Sequence, residues 1–424
     1  MAKRLAFFRQ AQTQPTVKSA NPHSTGTLPA IGSTIRDHMS AFNSIGNSGN
    51  MIHRAAMLQT LSYDRGGSAQ VNLLRILNEV KSPKKVADQL RKNFDGVVIT
   101  MSNIFRPGSE EPGMAELLEQ LEIPFYVVGA GIQDELKAGD ASQISQSVMD
   151  MMKVVDKKAA LFGVRGVHTK SWLNSVGFES PQAIGCPSMF AYPRNILAIK
   201  SPSHYDLILT AGHMLTGASQ KERALTLIRG FKGHRPSYVF QGEPKNYTDL
   251  LDVPGLWNDA AQTLDRAAVS RYLTAKLGIE VPFRRYFSFT ESSAWRVAAN
   301  QHQLYVGDRI HGGVAAMQVG RPAIVLYSDA RVNELAEHHG IPACELGEFG
   351  KIGVDAAVSQ HLSEERIEQF HLKYVNSLSK FYEAVEGAGL EIADRILIPS
   401  NLLKKSNSKP GFVASALKKI RKVA

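Results

Sequence analysis

Residues 302–327 read "HQLYVGDRIHGGVAAMQVGRPAIVLY". The two apolar runs "QLYVG" and "AIVLY" have the length of short buried strands, and the small apolar residues between them favour a short helix. Gly320 suits the left-handed position that ends a helix, and Pro322 stops the helix from continuing. A strand, a helix and a second strand in this order predict one parallel β-α-β unit.

The same alternation of apolar runs and amphipathic stretches extends upstream in two series. Between them, "GCPSMFAYPRNILAIKSPSH" (185–204) has the Pro-rich, aperiodic composition of a linker. The pattern predicts an α/β protein with two doubly wound Rossmann-like domains in a GT-B type arrangement and an interdomain cleft. Strands are predicted within 95–101, 123–132 and 158–165, and within 205–213, 236–242, 283–289, 302–309 and 321–327.

The length of 424 residues exceeds that of most single domains. We predict four segments. Residues 1–40 form an irregular N-terminal arm, because 10–40 are rich in Ser, Thr, Pro and Gln and have no periodicity. An N-terminal α/β domain follows over 41–199 and a C-terminal α/β domain over 200–400, and a basic tail ends the chain at 401–424.

The formal net charge of +10 is concentrated in that tail, which carries seven Lys or Arg residues and no acid. The body is left at +3, and without aromatic residues interleaved with basic ones it gives no support to nucleic-acid binding. Basic and apolar residues recur in the tail at near-helical spacing. Such a segment suits an anionic membrane surface, although a solvated tail has the same composition.

No apolar run approaches the roughly 20 residues of a membrane span, and "MAKRLAFFRQ" lacks the apolar stretch of a secretory signal. Cys186 and Cys344 show no CxxC spacing and have no His or Cys cluster near them in the sequence. We therefore expect a cytoplasmic protein with two inert thiols, no metal and no disulfide.

Arg309, His311, Gly312 and Gly313 fall on the turn and helix start that follow "QLYVGD". A helix start presents unpaired N–H donors, and glycines let a ligand oxygen approach them, so a phosphate or carboxylate fits there. Arg309 can bind such an anion with two N–H groups, and His311 can hold or release a proton near neutral pH. Equally, Arg309 can pair with Asp308 or another acid, and His311 can cap the turn.

Further candidates lie at other strand and helix ends. In "GNSGN" (46–50), Asn47, Ser48 and Asn50 can line a sugar or phosphate site or form a plain turn. Arg165 ends an apolar strand, where open α/β sheets place ligand contacts, or is a surface ion-pair residue. Glu243, near a strand end of the second domain, is a candidate for substrate contact. Four histidines without metal-ligand spacing are interpreted as surface or structural residues: His168, His213, His338 and His339.

The stretch "LYVGDRIHGGVAAMQVGRPAIVLYSDARVNELAEHHGIP" (304–342) resembles the C-terminal signature of the polysaccharide pyruvyl transferase family. The signature consists of Arg-x-His, a small-residue helix, Gly-x-Pro, a strand, and a helix before Gly-Ile-Pro. Three N-terminal stretches agree with the family in order and spacing, so that the likeness extends over roughly 40–345: "GNSGNMIHRAAML" (46–58), "IPFYVVGAGI" (123–132) and "LFGVRGVHTKSWLNSVGF" (161–178).

The resemblance implies transfer of a pyruvyl group from phosphoenolpyruvate to a sugar of a cell-surface polysaccharide or its lipid-linked precursor, as a ketal. The N-terminal domain would then bind the acceptor and the C-terminal domain the donor. His311 is expected to be the general acid, and Arg309, Arg165 and the helix start at Gly312 to neutralise phosphate and carboxylate. Phosphoenolpyruvate is a substrate, and no cofactor is expected.

Departures from the family pattern lie in the N-terminal domain. Asn50 and Gly166 stand where the family has acids, and Cys186 stands where Asp-Pro is expected. They point to a different acceptor or to lost activity. Two alternatives follow: a nucleotide-sugar glycosyltransferase with Glu334 on the ribose, or a non-catalytic glycan-binding protein. A lipid-carried acceptor would favour a peripheral position on the inner face of the membrane.

Overall fold

A computed structural model describes residues 2–8, 47–133, 136–214, 218–241, 243, 253–258, 263–289 and 291–398. The predicted basic tail at 401–424, residues 9–40 of the predicted arm and residues 41–46 of the predicted N-terminal domain lie outside the described residues. Within the described ranges, no helix is both long enough and apolar enough to cross a bilayer.

Six parallel strands form the first sheet: β1 Leu5–Phe8, β3 Ala69–Val71, β4 Gly96–Thr100, β5 Phe125–Ala130, β6 Leu161–Val164 and β7 Gln182–Ala183. Their spatial order is β3-β1-β4-β5-β6-β7. Every residue of β1, β4, β5 and β6 is buried, as expected for a parallel sheet covered on both faces.

Seven helices accompany this sheet among the described residues: α1 Gly49–Arg54, α2 Ala56–Thr60, α3 Leu73–Val80, α4 Pro83–Asn93, α5 Met114–Glu119, α6 Gln146–Lys158 and α7 Val167–Ser175. Asn72, Ser82 and Ser145 begin α3, α4 and α6, and their side chains accept hydrogen bonds from backbone N–H groups of the first turn. The chain then passes through a 3₁₀ helix, Pro187–Phe190, and α8 Pro193–Leu197.

A second sheet of six parallel strands follows: β8 Ile208–Thr210, β9 Ser237–Phe240, β12 Arg285–Ser288, β13 Leu304–Gly307, β14 Ala323–Tyr327 and β15 Ala343–Glu345. Their order is β12-β9-β8-β13-β14-β15. A small antiparallel pair consists of β10 Trp257–Asn258 and β11 Thr263–Leu264. The helices are α9 Ala218–Gly230, α10 Arg266–Leu277, α11 Ser292–Asn300, α12 Ile310–Met317, α13 Ala330–His339 and α14 Leu346–His361, with a kink at Gly353.

Both sheets reverse their strand order once. The chain moves outward from β1 to β3 and then continues on the other side of β1 with β4. In the second sheet it moves from β8 through β9 to β12 and then continues beside β8 with β13. Such reversals open a crevice at the carboxyl ends of the strands. The predicted class, α/β with two doubly wound sheets, is confirmed.

The C-terminal part of the described chain returns to the first half. α15 Glu364–Gly387 is followed by β16 Glu391–Ile392, which pairs antiparallel with β2 Leu61–Ser62. The Tyr374 hydroxyl on α15 donates to the Met189 carbonyl at 2.8 Å. Residues of the predicted C-terminal domain, 200–400, therefore also pack against the first half of the chain.

Two expectations about chain organisation need correction. Residues 5–8 of the predicted irregular arm form β1, which lies between β3 and β4 and is fully buried. Its four apolar residues are too few to show a periodicity. The predicted linker is also packed, because Met189, Phe190, Ile196 and Leu197 are buried in the core.

Candidate active site at the domain interface

A cavity of about 500 Å³ lies between the two sheets, at the carboxyl ends of their strands. Loops after β4, β5 and β6 of the first sheet and after β8, β9 and β13 of the second form most of its wall, which is where doubly wound sheets bind ligands. The polar and charged lining residues include Asn47, Asn50, Arg54, Ser102, Asn103, Arg106, Ser109, Glu110, Glu111, Gln133, Arg165, His213, Gln241, Asp308, Arg309 and His311.

Arg309 directly precedes α12 and lines this cavity. Its Nε donates to the Gly212 carbonyl at 3.1 Å, and its Nη2 lies 4.0 Å from Glu243 Oε1. The Tyr305 hydroxyl donates to the Arg309 carbonyl at 2.7 Å. These contacts hold the guanidinium at the cavity wall. Arg309 therefore lies near an acid, Glu243, and also faces the cavity.

His311, on the first turn of α12, also lines the cavity and lies against two residues of the first half of the chain. Its Nε2 is 3.9 Å from Cys186 Sγ, and its ring centre is 5.8 Å from that of His53. His53 is fully buried, and burial together with the positive charge of Arg165 holds its pKa well below the usual value. His53 is therefore neutral at neutral pH.

His213 follows β8, and Asp308 follows the neighbouring strand β13. His213 Nδ1 lies 2.9 Å from Asp308 Oδ2, and Arg223 Nε donates to the same oxygen. Although burial alone raises the pKa of Asp308, His213 and Arg223 lower it to about 2. Burial lowers the pKa of His213, and Asp308 only partly offsets this effect. The pair thus consists of a carboxylate and a neutral imidazole at the cavity wall.

The first half of the chain contributes Arg165, Asn47 and Asn50 to the cavity. Arg165 is 3% exposed, its Nε donates to the Gly129 carbonyl at 3.1 Å, and its Nη1 donates to Asn103 Oδ1. Asn47 Oδ1 accepts from the Gly49 N–H at 2.9 Å, which shapes the start of α1. The structure therefore brings Arg165, Asn47 and Asn50 together with Arg309 and His311.

Four predicted binding residues lie outside the cavity wall: Ser48, Glu243, Gly312 and Gly313. A Cβ at Gly312 would lie 2.6 Å from the Tyr305 hydroxyl, and one at Gly313 would lie 3.0 Å from Val325 Cγ2. These glycines therefore permit close packing of α12 on its sheet, and neither of them lines the cavity. Ser48 is buried, and its N–H donates to the Gln241 carbonyl at 3.0 Å.

Glu243 is fully buried behind the cavity wall. Its Oε1 accepts from the Tyr238 hydroxyl at 2.6 Å, and its Oε2 accepts from the Gln241 N–H at 2.8 Å. The structure does not place Glu243 in the cavity wall: its carboxylate turns into the core, where it faces Arg309 at 4.0 Å.

Glu334, expected to hold a ribose in the glycosyltransferase alternative, instead joins the two halves of the chain. Its Oε1 accepts from the Thr169 N–H at 2.9 Å, and its Oε2 accepts from Thr169 Oγ1 at 3.2 Å. Glu334 thus caps α7 from α13. A Cβ at Gly166 would lie 2.5 Å from Glu334 Oε1, so the glycine leaves room for this carboxylate.

The histidines divide into two groups. His339 is structural, because its Nε2 accepts from the Cys186 N–H at 3.0 Å and its Nδ1 faces Ser377 Oγ at 3.1 Å. His213 lines the cavity beside Asp308, because β8 and β13 are neighbouring strands whose carboxyl ends meet at one edge of the sheet.

The sequence reasoning also missed the approach of His53 and Cys186 to His311. The Nδ1 of His53 lies 3.2 Å from Cys186 Sγ. The sequence shows no cluster near either cysteine, because the three residues meet only in the folded chain.

Several solved structures are similar to this chain. The Anabaena protein HepE in complex with UDP is 11% identical, with a TM-score of 0.39 over 84% of this chain and 85% of that one. UDP-GlcNAc 2-epimerase of Methanocaldococcus jannaschii is 15% identical, with a TM-score of 0.41 over 70% and 79%. The trehalose-phosphate synthase of Burkholderia xenovorans, in complex with glucose-6-phosphate, is 11% identical, with a TM-score of 0.43 over 82% and 81%.

No curated protein matches the chain. The polysaccharide pyruvyl transferase family, however, matches residues 47–330, about two thirds of the chain. This range covers residues 304–330 of the C-terminal signature and, apart from Gly46, the three N-terminal stretches that resemble the family. The chain belongs to the polysaccharide pyruvyl transferase family.

Proposed function

We propose that this protein transfers the pyruvyl group of phosphoenolpyruvate to two hydroxyls of a sugar, in a polysaccharide or its lipid-linked precursor. The observation that carries the proposal is the convergence of Arg165, Arg309, His213 and His311 in one cavity between the two sheets. Together with the family membership, it supports chemistry on a small, multiply charged donor.

The donor has two anionic groups, a phosphate and a carboxylate, and the cavity wall offers four arginines. Arg165 and Arg309 are held by backbone carbonyls at their Nε atoms, so their orientation is set before a ligand arrives. A planar guanidinium binds an oxyanion through two N–H groups. Arg54 and Arg106 add positive charge to the same wall.

The reaction begins with protonation of the methylene carbon of phosphoenolpyruvate, for which His311 is the proposed acid. The adjacent carbon becomes cationic, and the first sugar hydroxyl adds to it while its proton passes to a base. Inorganic phosphate then leaves, and the second hydroxyl closes the ketal and releases its proton. The arginines stabilise the departing phosphate, and proton transfer contributes about 10²–10⁴-fold to the rate.

His213 is the proposed base. Its lowered pKa keeps the imidazole neutral at pH 7, and Asp308 accepts a hydrogen bond from Nδ1–H, so that Nε2 presents a lone pair. The charge of Asp308 also stabilises the imidazolium that forms when the hydroxyl proton is taken. An acid and a base in one cavity match the proton transfers that ketal formation requires.

The acceptor hydroxyls are expected near Gln241 and Asp308, which follow strands of the second sheet, in contrast to the expectation that the N-terminal domain binds the acceptor. Gln241 Nε2 and Asp308 Oδ1 are buried and have no hydrogen-bond partner among the described residues. Both residues line the cavity, and unpaired buried polar atoms are rare in folded proteins. An amide donor and a carboxylate acceptor complement a hydroxyl, which both accepts and donates.

The experiment is an acceptor screen with the purified protein and phosphoenolpyruvate. Lipid-linked and nitrophenyl sugars serve as acceptors, released phosphate is measured, and the product is examined by mass spectrometry for the added pyruvyl group. We expect phosphate release that requires an acceptor. Thermal shift supplies the contrast, because a ligand at 100 times its Kd adds about 2.7 kcal/mol. Stabilisation by UDP-sugars alone would support a glycosyltransferase, and stabilisation by neither would support a non-catalytic protein.

A lipid-linked acceptor would also give the basic tail at 401–424 a role at an anionic membrane surface. Each Lys or Arg near such a surface contributes about 1 kcal/mol, and the tail has seven. Deletion of residues 405–424 should reduce sedimentation with anionic vesicles at low salt and leave activity on a soluble sugar unchanged. Equal sedimentation of both proteins would exclude the tail as an anchor.

A further inference from the structure

Three side chains that commonly bind metals meet where the two halves of the chain touch. They are His53 on α1, Cys186 before the 3₁₀ helix and His311 on α12, and their ligand atoms all lie within 4.8 Å of one another. Within the described ranges, no other three His, Cys, Asp or Glu side chains form such a group. Their donor set, one sulfur and two imidazole nitrogens, suits zinc and similar cations and is unsuited to magnesium or calcium.

His53 has the orientation that metal-binding histidines usually show. Its Nε2 faces the Met101 carbonyl, which can only accept, so Nε2 carries the proton. Its Nδ1 therefore presents a lone pair, and this atom lies 3.2 Å from Cys186 Sγ. A backbone carbonyl behind the distal nitrogen is the outer-shell contact that fixes the tautomer of a ligating histidine.

Cys186 is also held in place. Its N–H donates to His339 Nε2 at 3.0 Å, and its Sγ lies 2.9 Å from Ser188 Oγ. The Ser188 hydroxyl can donate to a thiolate, which is the form of cysteine that binds a metal. The thiol proton is released to solvent when the cation binds.

The distances fit a tetrahedral centre. Zn–S bonds of about 2.3 Å and Zn–N bonds of about 2.0–2.1 Å place sulfur and nitrogen about 3.6 Å apart. Cys186 Sγ lies 3.2 Å from His53 Nδ1 and 3.9 Å from His311 Nε2, on either side of that value. We propose that His53, Cys186 and His311 form a binding site for a divalent cation of the zinc type.

His311 lines the cavity, so the fourth coordination position of the cation would open toward it. Three protein ligands and one open position are typical of zinc sites that exchange ligands. An imidazole whose Nε2 binds a metal cannot become an imidazolium, so His311 cannot act as an acid in the metal-bound form. The metal-bound protein is therefore inactive in pyruvyl transfer, and this consequence alone rests on the proposed function.

Titration of the metal-free protein with Co²⁺ tests the site without any measurement of activity. A Co²⁺–thiolate bond gives a charge-transfer band in the near ultraviolet, and the chain has only two cysteines. The wild-type protein and the control Cys344→Ser should both show the band at one equivalent, and Zn²⁺ should remove it. Cys186→Ser should lack it. No band in the wild type, or an equal band in Cys186→Ser, would overturn the proposal.

A second variant keeps the test decisive if Cys186→Ser does not fold. His311 is only partly buried, and His311→Ala removes one ligand without touching the buried pair. Because loss of even an outer-shell partner costs about 10–100-fold in metal affinity, the Kd for Co²⁺ should rise at least about tenfold. An unchanged Kd would overturn the site.

Turnover separates this inference from the proposed function. One equivalent of Zn²⁺ should suppress phosphate release that depends on the acceptor, and a chelator should restore it. A cobalt band together with Zn²⁺-insensitive turnover would support the site and remove His311 as the acid. A cobalt band in a protein that shows no turnover with any acceptor would support the metal site and contradict the proposed function.

Discussion

Replacement of Asp308 by Asn removes one buried negative charge and preserves the shape of its surroundings. Both hydrogen bonds of the carboxylate, from His213 Nδ1 and Arg223 Nε, end on the same oxygen, Oδ2. An amide oxygen in that position can accept both. The change therefore isolates the charge, which in the proposed mechanism stabilises the imidazolium of His213.

The cost in stability follows from the pKa. The pKa of Asp308 is lowered from 3.8 to about 2. Each pKa unit corresponds to about 1.36 kcal/mol, so the charge contributes about 2 kcal/mol to the free energy of unfolding. Because the folded-state pKa is the lower one, this contribution is present above about pH 4 and is lost as the pH falls through about 2. At pH 7 His213 is neutral and Arg223 is the charged partner that remains, so Asp308→Asn should lower the free energy of unfolding by no more than this amount.

The effect on turnover should be separate from the effect on stability. A general base contributes about 10²–10⁴-fold to the rate. Loss of the charge that supports this base should lower kcat at least about tenfold. Binding of phosphoenolpyruvate should not weaken, because a negative charge has left the cavity wall.

Two quantities are measured at pH 7. The free energy of unfolding is obtained from urea-induced unfolding, and kcat is measured under conditions in which the variant remains folded. Leu273→Ala is the control, because Leu273 is a buried residue of α10 and the change costs about 2–5 kcal/mol. It should destabilise the protein at least as much and retain kcat. An equal loss of kcat in the control, or a normal kcat in Asp308→Asn, would refute the reasoning.

Three further predictions concern single side chains. His311→Ala should reduce kcat at least about 100-fold and leave thermal stabilisation by phosphoenolpyruvate intact, because an acid acts mainly in the transition state; a near-normal kcat would remove it from the mechanism. Arg309→Lys should raise KM for phosphoenolpyruvate about tenfold, since an ammonium cannot reproduce the two-point contact, whereas an unchanged KM would make Arg309 structural. Glu334→Ala should lower the free energy of unfolding by about 1–2 kcal/mol and leave kcat unchanged, because its carboxylate caps α7 at Thr169; unaltered urea unfolding would contradict that role.

The strands that the sequence predicts best are those buried on both faces. "DGVVITM" contains β4 and "IPFYVVGAGI" contains β5, because a strand covered by helices needs a continuous apolar run. β1 was missed because its four apolar residues stand between basic residues and a polar, aperiodic stretch, and β3 and β7 because they are short edge strands with partly exposed residues. Their place is set by pairing with distant strands, which no local pattern encodes.

The site is predictable where its residues follow strands. Arg165, Arg309 and His311 could be identified because the carboxyl ends of parallel strands meet at one edge of a sheet. The contacts among His53, Cys186 and His311 could not, because they depend on how α1 and α12 pack together across the two halves of the chain. The packing role of Gly312 and Gly313 is hidden for a related reason, since Tyr305 and Val325, which a Cβ at these positions would meet, are brought near only once α12 lies on its sheet.

The two buried carboxylates show why charge type alone does not reveal a role. Glu243 and Asp308 both follow strands of the second sheet, and the sequence favoured Glu243 as the substrate contact. In the fold, both oxygens of Glu243 are satisfied by Tyr238 and by the Gln241 N–H, whereas Asp308 keeps one oxygen without a partner among the described residues. A carboxylate with both oxygens satisfied can hold Arg309 in place but has little to offer a ligand. Asp308 has an oxygen without a partner among the described residues and a histidine beside it, so it can act on a substrate. Only the packing of the folded chain distinguishes the two carboxylates.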